Sequence, residues 1–211
     1  EVRTGTRASS AKRENGMWVV EAEDSESGGR FRWQARGLVN ATGPWVKQFF
    51  DDGMQLPSPY GIRLIKGSHI VVPRLFTPDH AYIVQNPDKR ISFAIPYERD
   101  FTLIGTTDVE HYGAVGTARI DANEIDYLCA QASRYFARPV QSDDVVWSYA
   151  GVRPLLDDAS GDPSAVTRDY LLDLDSTHAP LLTVWGGKIT TFRKLAEDAA
   201  EYRRQRSEKT I

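Results

Sequence analysis

Two short apolar runs, each ending in glycine, constrain this chain more than any other feature. Leu38 to Ala41 leads into Gly43-Pro44, and Leu181 to Trp185 leads into Gly186-Gly187. Neither run alternates polar with apolar residues, which fits strands covered on both faces. A helical pattern follows each. Pro44 suits the first turn of a helix with Trp45, Val46, Phe49 and Phe50 on one face. The second helix starts near Lys188 or Thr190, with Phe192, Leu195, Ala196 and Ala199 as its apolar face. The two corners lie near opposite ends of the chain, so the chain leaves one layer, builds another and returns.

The intervening stretch reads differently. Strand-like runs recur at 63–72, 81–85, 91–96 and 101–107, with turn residues at Asn86-Pro87-Asp88 and Glu98-Arg99-Asp100. Successive strands with short turns predict an antiparallel sheet. Residues 121–137 predict a helix, with Asp121 at the N-cap and Glu124 at the capping-box position. Two more strands are expected at 145–152 and 167–174. Ahead of the first corner, 17–23 and 30–36 form a hairpin around a Ser/Gly-rich turn, and 51–61 reads as a loop. The expectation is an α/β plus α+β chain divided at 1–60, 61–150 and 151–211.

Composition narrows the classes of function. The hydrophobic content of 41% argues against disorder, and a net charge of −3 supplies no general attraction to nucleic acid. The single cysteine, Cys129, lies in an apolar-periodic stretch and reads as a buried, inert thiol that fits a reducing, cytoplasmic setting. No His/Cys cluster has metal-ligand spacing, and no apolar run reaches the ~18 residues that suggest a membrane span. The sequence carries no G-x-G-x-x-G loop, no Walker loop and no G-x-S-x-G elbow.

Several places carry chemistry. Gly186-Gly187-Lys188-Ile189-Thr190-Thr191 joins a strand to a helix start, where unpaired N–H groups favour an anionic ligand edge; a tight turn with a threonine cap is the equal alternative. Ala41-Thr42-Gly43 is a similar, weaker corner. Arg153, in Gly151-Val152-Arg153-Pro154-Leu155, sits in an apolar strand and has the shape to grip phosphate or carboxylate, or to pair with Asp157 or Asp158. Arg168 is a weaker case beside Asp169. His69 in Lys66-Gly67-Ser68-His69 titrates near neutrality and is a candidate base, although a lone strand histidine is more often structural. Thr107 and Asp108 close Gly105-Thr106-Thr107-Asp108 at a strand end.

In their order, the segments around Asn40–Trp45, Lys66–His69, Gly105–Asp108, Gly151–Leu155 and Gly186–Thr191 resemble the FAD-dependent glycerol-3-phosphate dehydrogenases, above all the aerobic respiratory enzymes of bacteria. The likeness runs from about Arg7 to Glu201. It implies a partial FAD-binding domain of glutathione-reductase type with an inserted antiparallel-sheet substrate domain. It also implies oxidation of sn-glycerol 3-phosphate by hydride transfer to FAD, with electrons passing to quinone at the inner face of the cytoplasmic membrane. By the resemblance, Ala41, Thr42 and Gly43 lie on the adenosine side of FAD, and Gly187, Lys188, Thr190 and Thr191 face the flavin ring. Arg153 grips the substrate with Arg168 as helper, His69 takes the hydroxyl proton, and Thr107 and Asp108 border the pocket. A flavin amine or amino-acid oxidase and a non-catalytic binding module remain the alternatives. The family's glycine-rich FAD pyrophosphate loop is not in this sequence, which starts at Glu1 as if cut. The isolated chain is therefore expected to bind FAD weakly or not at all and to lack turnover. The cations Arg203, Arg204, Arg206 and Lys209 could meet anionic lipid, but the neighbouring acids Glu197, Asp198, Glu201 and Glu208 favour a solvated face.

Overall fold

The computed structural model describes residues 1–157 and 169–207. The described chain falls into two compact units: Glu1–Ile62 together with the chain from Pro154 onward, and Arg63–Arg153.

The first unit opens with a three-stranded antiparallel meander, β1 (Thr6–Glu14), β2 (Met17–Asp24) and β3 (Arg30–Ala35). Sequence periodicity anticipates β2 and β3 but not β1. Its residues are polar, charged or small, only Ala11 is fully buried, and a register shift between Ala8 and Ser10 breaks the alternation. Strand β4 (Leu38–Asn40) is followed by a 3-10 turn at Gly43–Trp45, a single α turn α1 (Val46–Gln48) and a π turn at Phe49–Gly53. The helix expected after Pro44 is thus present from Gly43 to Gly53, but as consecutive 3-10, α and π turns rather than as a regular α-helix. Val39 is 52% exposed, so β4 is not covered on both faces as its apolar run suggests.

The core of this unit gathers Trp18, Val46, Phe50, Met54, Leu181 and Trp185. Phe50 stacks on Trp185 at 5.4 Å between ring centroids. The Trp18 indole N–H donates to the carbonyls of Ala179 and Pro180, at 3.0 and 2.9 Å, and Arg13 lies over the same ring. Arg13 also pairs with Asp175 at 2.6 Å. Burial would raise the Asp175 carboxyl, but hydrogen bonds from Thr177 and the contact with Arg13 outweigh it and hold the pKa at about 2.

The second unit is built on a six-stranded antiparallel sheet. Its strands are β5 (Ile62–Pro73), β6 (Tyr82–Gln85), β7 (Ile91–Tyr97), β8 (Phe101–Gly105), β9 (Val109–Glu110) and β10 (Trp147–Leu156), in the order β10-β5-β8-β7-β6 with β9 paired to β5. Helix α2 (Ala122–Tyr135) covers one face, where Leu128, Cys129 and Ala132 pack with Ile70, Val72 and Ile104. Asp121 and Glu124 close the expected capping box. Cys129 is buried, and burial pushes its thiol up to about 11, so it is inert as expected.

The chain returns through β11 (Tyr170–Asp175), antiparallel to β12 (Leu181–Gly186), which pairs in parallel with β4. Strand β12 is buried along nearly its whole length, as its apolar run predicts. A 3-10 turn at Ile189–Thr191 leads into α3 (Phe192–Ser207). Phe192 is 66% exposed and Ala196 is also exposed, so the expected apolar face of this helix is not buried within the described residues.

Leu128 is fully buried at the centre of the α2 contact. Leu128→Ala is expected to cost roughly 2–5 kcal/mol through lost transfer energy and the cavity left behind. Urea unfolding that shows less than about 1 kcal/mol would mean α2 is not packed as described.

Candidate functional site

In the second unit, β5 carries His69 one residue before Ile70. Ile70 faces α2, so alternation puts His69 on the opposite face. His69 pairs across the sheet with Gly105, which pairs in turn with Phe93. A Cβ on Gly105 would lie 2.0 Å from the His69 ring, so only glycine lets the imidazole lie over that strand. The ring stacks on Tyr149 of β10, at 4.7 Å with planes 6° apart. Burial, and then the nearby Arg153 charge, lower its pKa from 6.5 to about 4. His69 is thus a neutral imidazole at neutral pH, and its Nδ1 is buried without a hydrogen-bond partner among the described residues.

Arg153 ends the part of β10 that belongs to this unit. Its guanidinium donates to Asp108 Oδ1 at 2.9 Å, to Thr106 Oγ1 at 2.9 Å and to the Thr107 carbonyl at 3.3 Å. An acid found against it is therefore Asp108, which is distant in sequence. A Cβ on Gly67 would lie 2.3 Å from an Arg153 nitrogen, so the bare backbone of β5 makes the slot for the guanidinium. The side chain remains 31% exposed, so a charged group from solvent can reach it. His69, Arg153, Asp108 and the Thr107 backbone are brought together here. The Thr107 hydroxyl is not at a pocket edge: the residue is 1% exposed, and its Oγ1 donates to Glu124 at 2.6 Å. Arg168 and Asp158 lie outside the described residues.

In the first unit, β12 ends at Gly186 and Gly187, with φ of +75° and +97°. A Cβ on Gly186 would lie 2.8 Å from the Asp169 carbonyl, which requires glycine there. Lys188 and Thr190 are exposed, and Thr191 bonds back to the Lys188 carbonyl through both its amide and its hydroxyl. Among the described residues no side chain caps this turn, and the first turn of α3 holds no acid. The helix start therefore keeps its amide donors and partial positive charge next to the Lys188 cation. That donor set fits the electron-rich pyrimidine edge of a flavin. At the end of the parallel strand β4, Gly43 has φ of +56° and open space where a Cβ would be, and Ala41 is exposed. Thr42 instead bonds Asn40 Oδ1 through its hydroxyl, at 2.8 Å, which leaves mainly backbone to meet a ligand.

Three positions that shape the surroundings of His69 and Arg153 escape sequence reading. Gly67 and Gly105 stand inside strand runs, and their role depends on what lies across the sheet. Tyr149 supports His69 from a strand far along the chain. A glycine in the interior of a predicted strand is the available signal, since it marks close approach of another group.

The comparisons with known proteins follow this geometry. A profile of the FAD dependent oxidoreductase family matches residues 1–193. The chain is 62% identical to the aerobic glycerol-3-phosphate dehydrogenase of Escherichia coli over 95% of its length, covering 40% of that protein. It is 51% identical to the D-erythritol 1-phosphate dehydrogenase of Brucella abortus over 92% of its length, covering 39% of that protein. Its structure matches the glycerol-3-phosphate dehydrogenase of Bacillus halodurans complexed with FAD, with a TM-score of 0.77 at 27% identity over 96% of this chain and 39% of that one. The chain thus spans about two fifths of the length of these relatives.

The His69 pKa gives stability a pH dependence of known sign. Between about 4 and 6.5 the unfolded state binds a proton on His69 that the folded state does not, so stability rises with pH across that window and falls as pH drops through it. His69→Gln is expected to flatten this slope in denaturation measured at pH 7 and at pH 4.5. An unchanged slope would mean that the imidazole is not held neutral by its surroundings. The shared profile, the strand-to-helix corners and the fold place this chain in the family of FAD-dependent oxidoreductases.

Proposed function

We propose that the protein oxidises sn-glycerol 3-phosphate to dihydroxyacetone phosphate with FAD as the acceptor. The observation that carries this reading is the Arg153 site. A guanidinium backed by Asp108, Thr106 and the Thr107 carbonyl remains partly open to solvent, on a chain 62% identical to a glycerol-3-phosphate dehydrogenase. Arginine is the side chain best shaped for two-point contact with phosphate.

Each residue then has a defined task. Arg153 binds the phosphate and orients carbon 2, and Arg168 is proposed to assist. Asp108 and the Thr107 carbonyl hold the guanidinium in register. His69 is neutral above about pH 4, so it is available to take the proton of the carbon 2 hydroxyl at Nε2, the nitrogen other than the buried Nδ1. The exposed Phe93, Ile95 and Tyr149 share the sheet face with His69 and limit water there. In the first unit, Gly187, Lys188, Thr190 and Thr191 would hold the flavin's pyrimidine edge, and Ala41, Thr42 and Gly43 the adenosine side. Bound FAD supplies the two-electron acceptor for the hydride that leaves carbon 2. Lys188 and the uncapped helix start favour the negative charge that reduction adds.

We further propose that the electrons pass to quinone at the cytoplasmic membrane, through peripheral contact. No helix among the described residues is long and apolar enough to cross a membrane.

The test is steady-state kinetics on the full-length protein with glycerol 3-phosphate, D-erythritol 1-phosphate and sarcosine. Glycerol 3-phosphate is expected to give the highest kcat/KM. Arg153→Ala is expected to lower that value at least about a hundredfold, the scale for removing a charged bidentate contact. A preference for sarcosine would replace this reading with an amine oxidase, and one for the four-carbon phosphate would move the substrate but keep the grip.

A further inference from the structure

Glu124 makes more contacts than a helix cap needs. A capping box asks only that its carboxylate return to the N-cap amide, which Glu124 Oε2 does by accepting from Asp121 N at 3.1 Å. The same carboxylate also meets Lys66 Nζ at 2.7 Å and accepts from Ser68 Oγ at 2.8 Å and Thr107 Oγ1 at 2.6 Å. Glu124 is 4% exposed, and Lys66, Ser68 and Thr107 are buried as well. One carboxylate thus joins the start of α2 to strand β5 and to the segment after β8.

That segment is the one that holds Arg153. The Thr107 hydroxyl donates to Glu124 and accepts from the Ser68 amide at 3.0 Å, while its backbone carbonyl accepts from Arg153. Thr106 and Asp108, on either side, also contact the guanidinium. Both bonds on the Thr107 hydroxyl must be satisfied, because the group is out of reach of water. Its rotation therefore fixes the plane of the Thr107 peptide and the placement of its neighbours. Fold stabilisation alone explains the Lys66 pair, but it does not explain why the chain ends on the carbonyl that touches Arg153.

We propose that Glu124, acting through the Thr107 hydroxyl, is a positioning residue that sets the Arg153 guanidinium for the substrate phosphate. This rests on reading Arg153 as the phosphate grip. Glu124 touches no substrate. Its effect falls on binding rather than on the chemical step.

The experiment uses the full-length, FAD-loaded protein with Thr107→Val, Thr107→Ser and Glu124→Gln. Valine keeps the shape of threonine and removes both hydrogen bonds. Its crystal structure is expected to show the guanidinium displaced from Asp108 and Thr106. KM for glycerol 3-phosphate and the inhibition constant of inorganic phosphate are expected to rise about tenfold, with kcat held within about twofold. Thr107→Ser restores both constants, whereas a purely structural role would show only in the melting temperature. Glu124→Gln leaves one acceptor oxygen for donors that now meet two and sets an NH2 against the Lys66 and Asp121 donors; the re-seated side chain is expected to give the same KM-weighted loss, and it judges the proposal if the valine variant does not fold. An unmoved guanidinium with unchanged KM and phosphate inhibition in a folded variant overturns the proposal. Failure of the underlying grip shows separately, as an Arg153→Ala protein whose KM and phosphate inhibition match wild type. The guanidinium position in the valine variant decides the Glu124 claim either way.

Discussion

A guanidinium laid against a strand backbone is the contact on which the second unit's site depends. A charge drawn partly out of water is costly unless its donors are met, and Arg153 meets them with Asp108, Thr106 and the Thr107 carbonyl. Those partners arrive from the segment after β8, so the register of β8 against β5 decides whether the arginine has a place. Gly67 opens the slot from below, and Gly105 does the same for His69 one strand away. The sheet face opposite α2 thereby holds a cation and a neutral base on one apolar surface, without a metal-ligand cluster among the described residues. Lowering the imidazole pKa to about 4 follows from that arrangement, since burial and the neighbouring positive charge both disfavour the imidazolium.

The first unit solves a different problem with different means. Two strands, β4 and β12, run in parallel; β12 stops at a glycine with positive φ, and β4 is followed by one three residues on. After β12 the chain turns into a helix whose first amides have no side-chain cap. Such a corner is electrostatically unfinished, and an electron-rich ring edge would complete it. The exposure of Ile189 and Phe192 at the same corner fits a surface that meets further material, since apolar groups of that size are costly to leave in water.

Much of this was visible in the residues, for reasons that differ by element. Strand β12 was readable because burial on both faces forces an unbroken apolar run, and α2 because the Asp121–Glu124 spacing encodes its own start. Strand β1 was hidden because its polar, charged and small residues, paired to β2, leave no apolar alternation to detect. The turn after Pro44 looked like a full helix because its apolar residues do reach the core, although through 3-10 and π geometry. Arg153 could be picked out as an arginine in an apolar strand, but its pairing with Asp108 could not, because Asp108 is far along the chain and is brought near only by sheet topology. Glu124 was legible as a cap and silent as a hub for the same reason. The family membership drew on the order of several weak segments, which together specify what none specifies alone.

The central claim is that the Arg153 guanidinium receives the substrate's phosphate. A crystal structure of the full-length, FAD-loaded protein with bound glycerol 3-phosphate tests it most directly. The account predicts phosphate oxygens within about 3 Å of the Arg153 nitrogens, the range of a charge-assisted hydrogen bond. A phosphate bound elsewhere, with Arg153 still closed on Asp108 and Thr106, would contradict it.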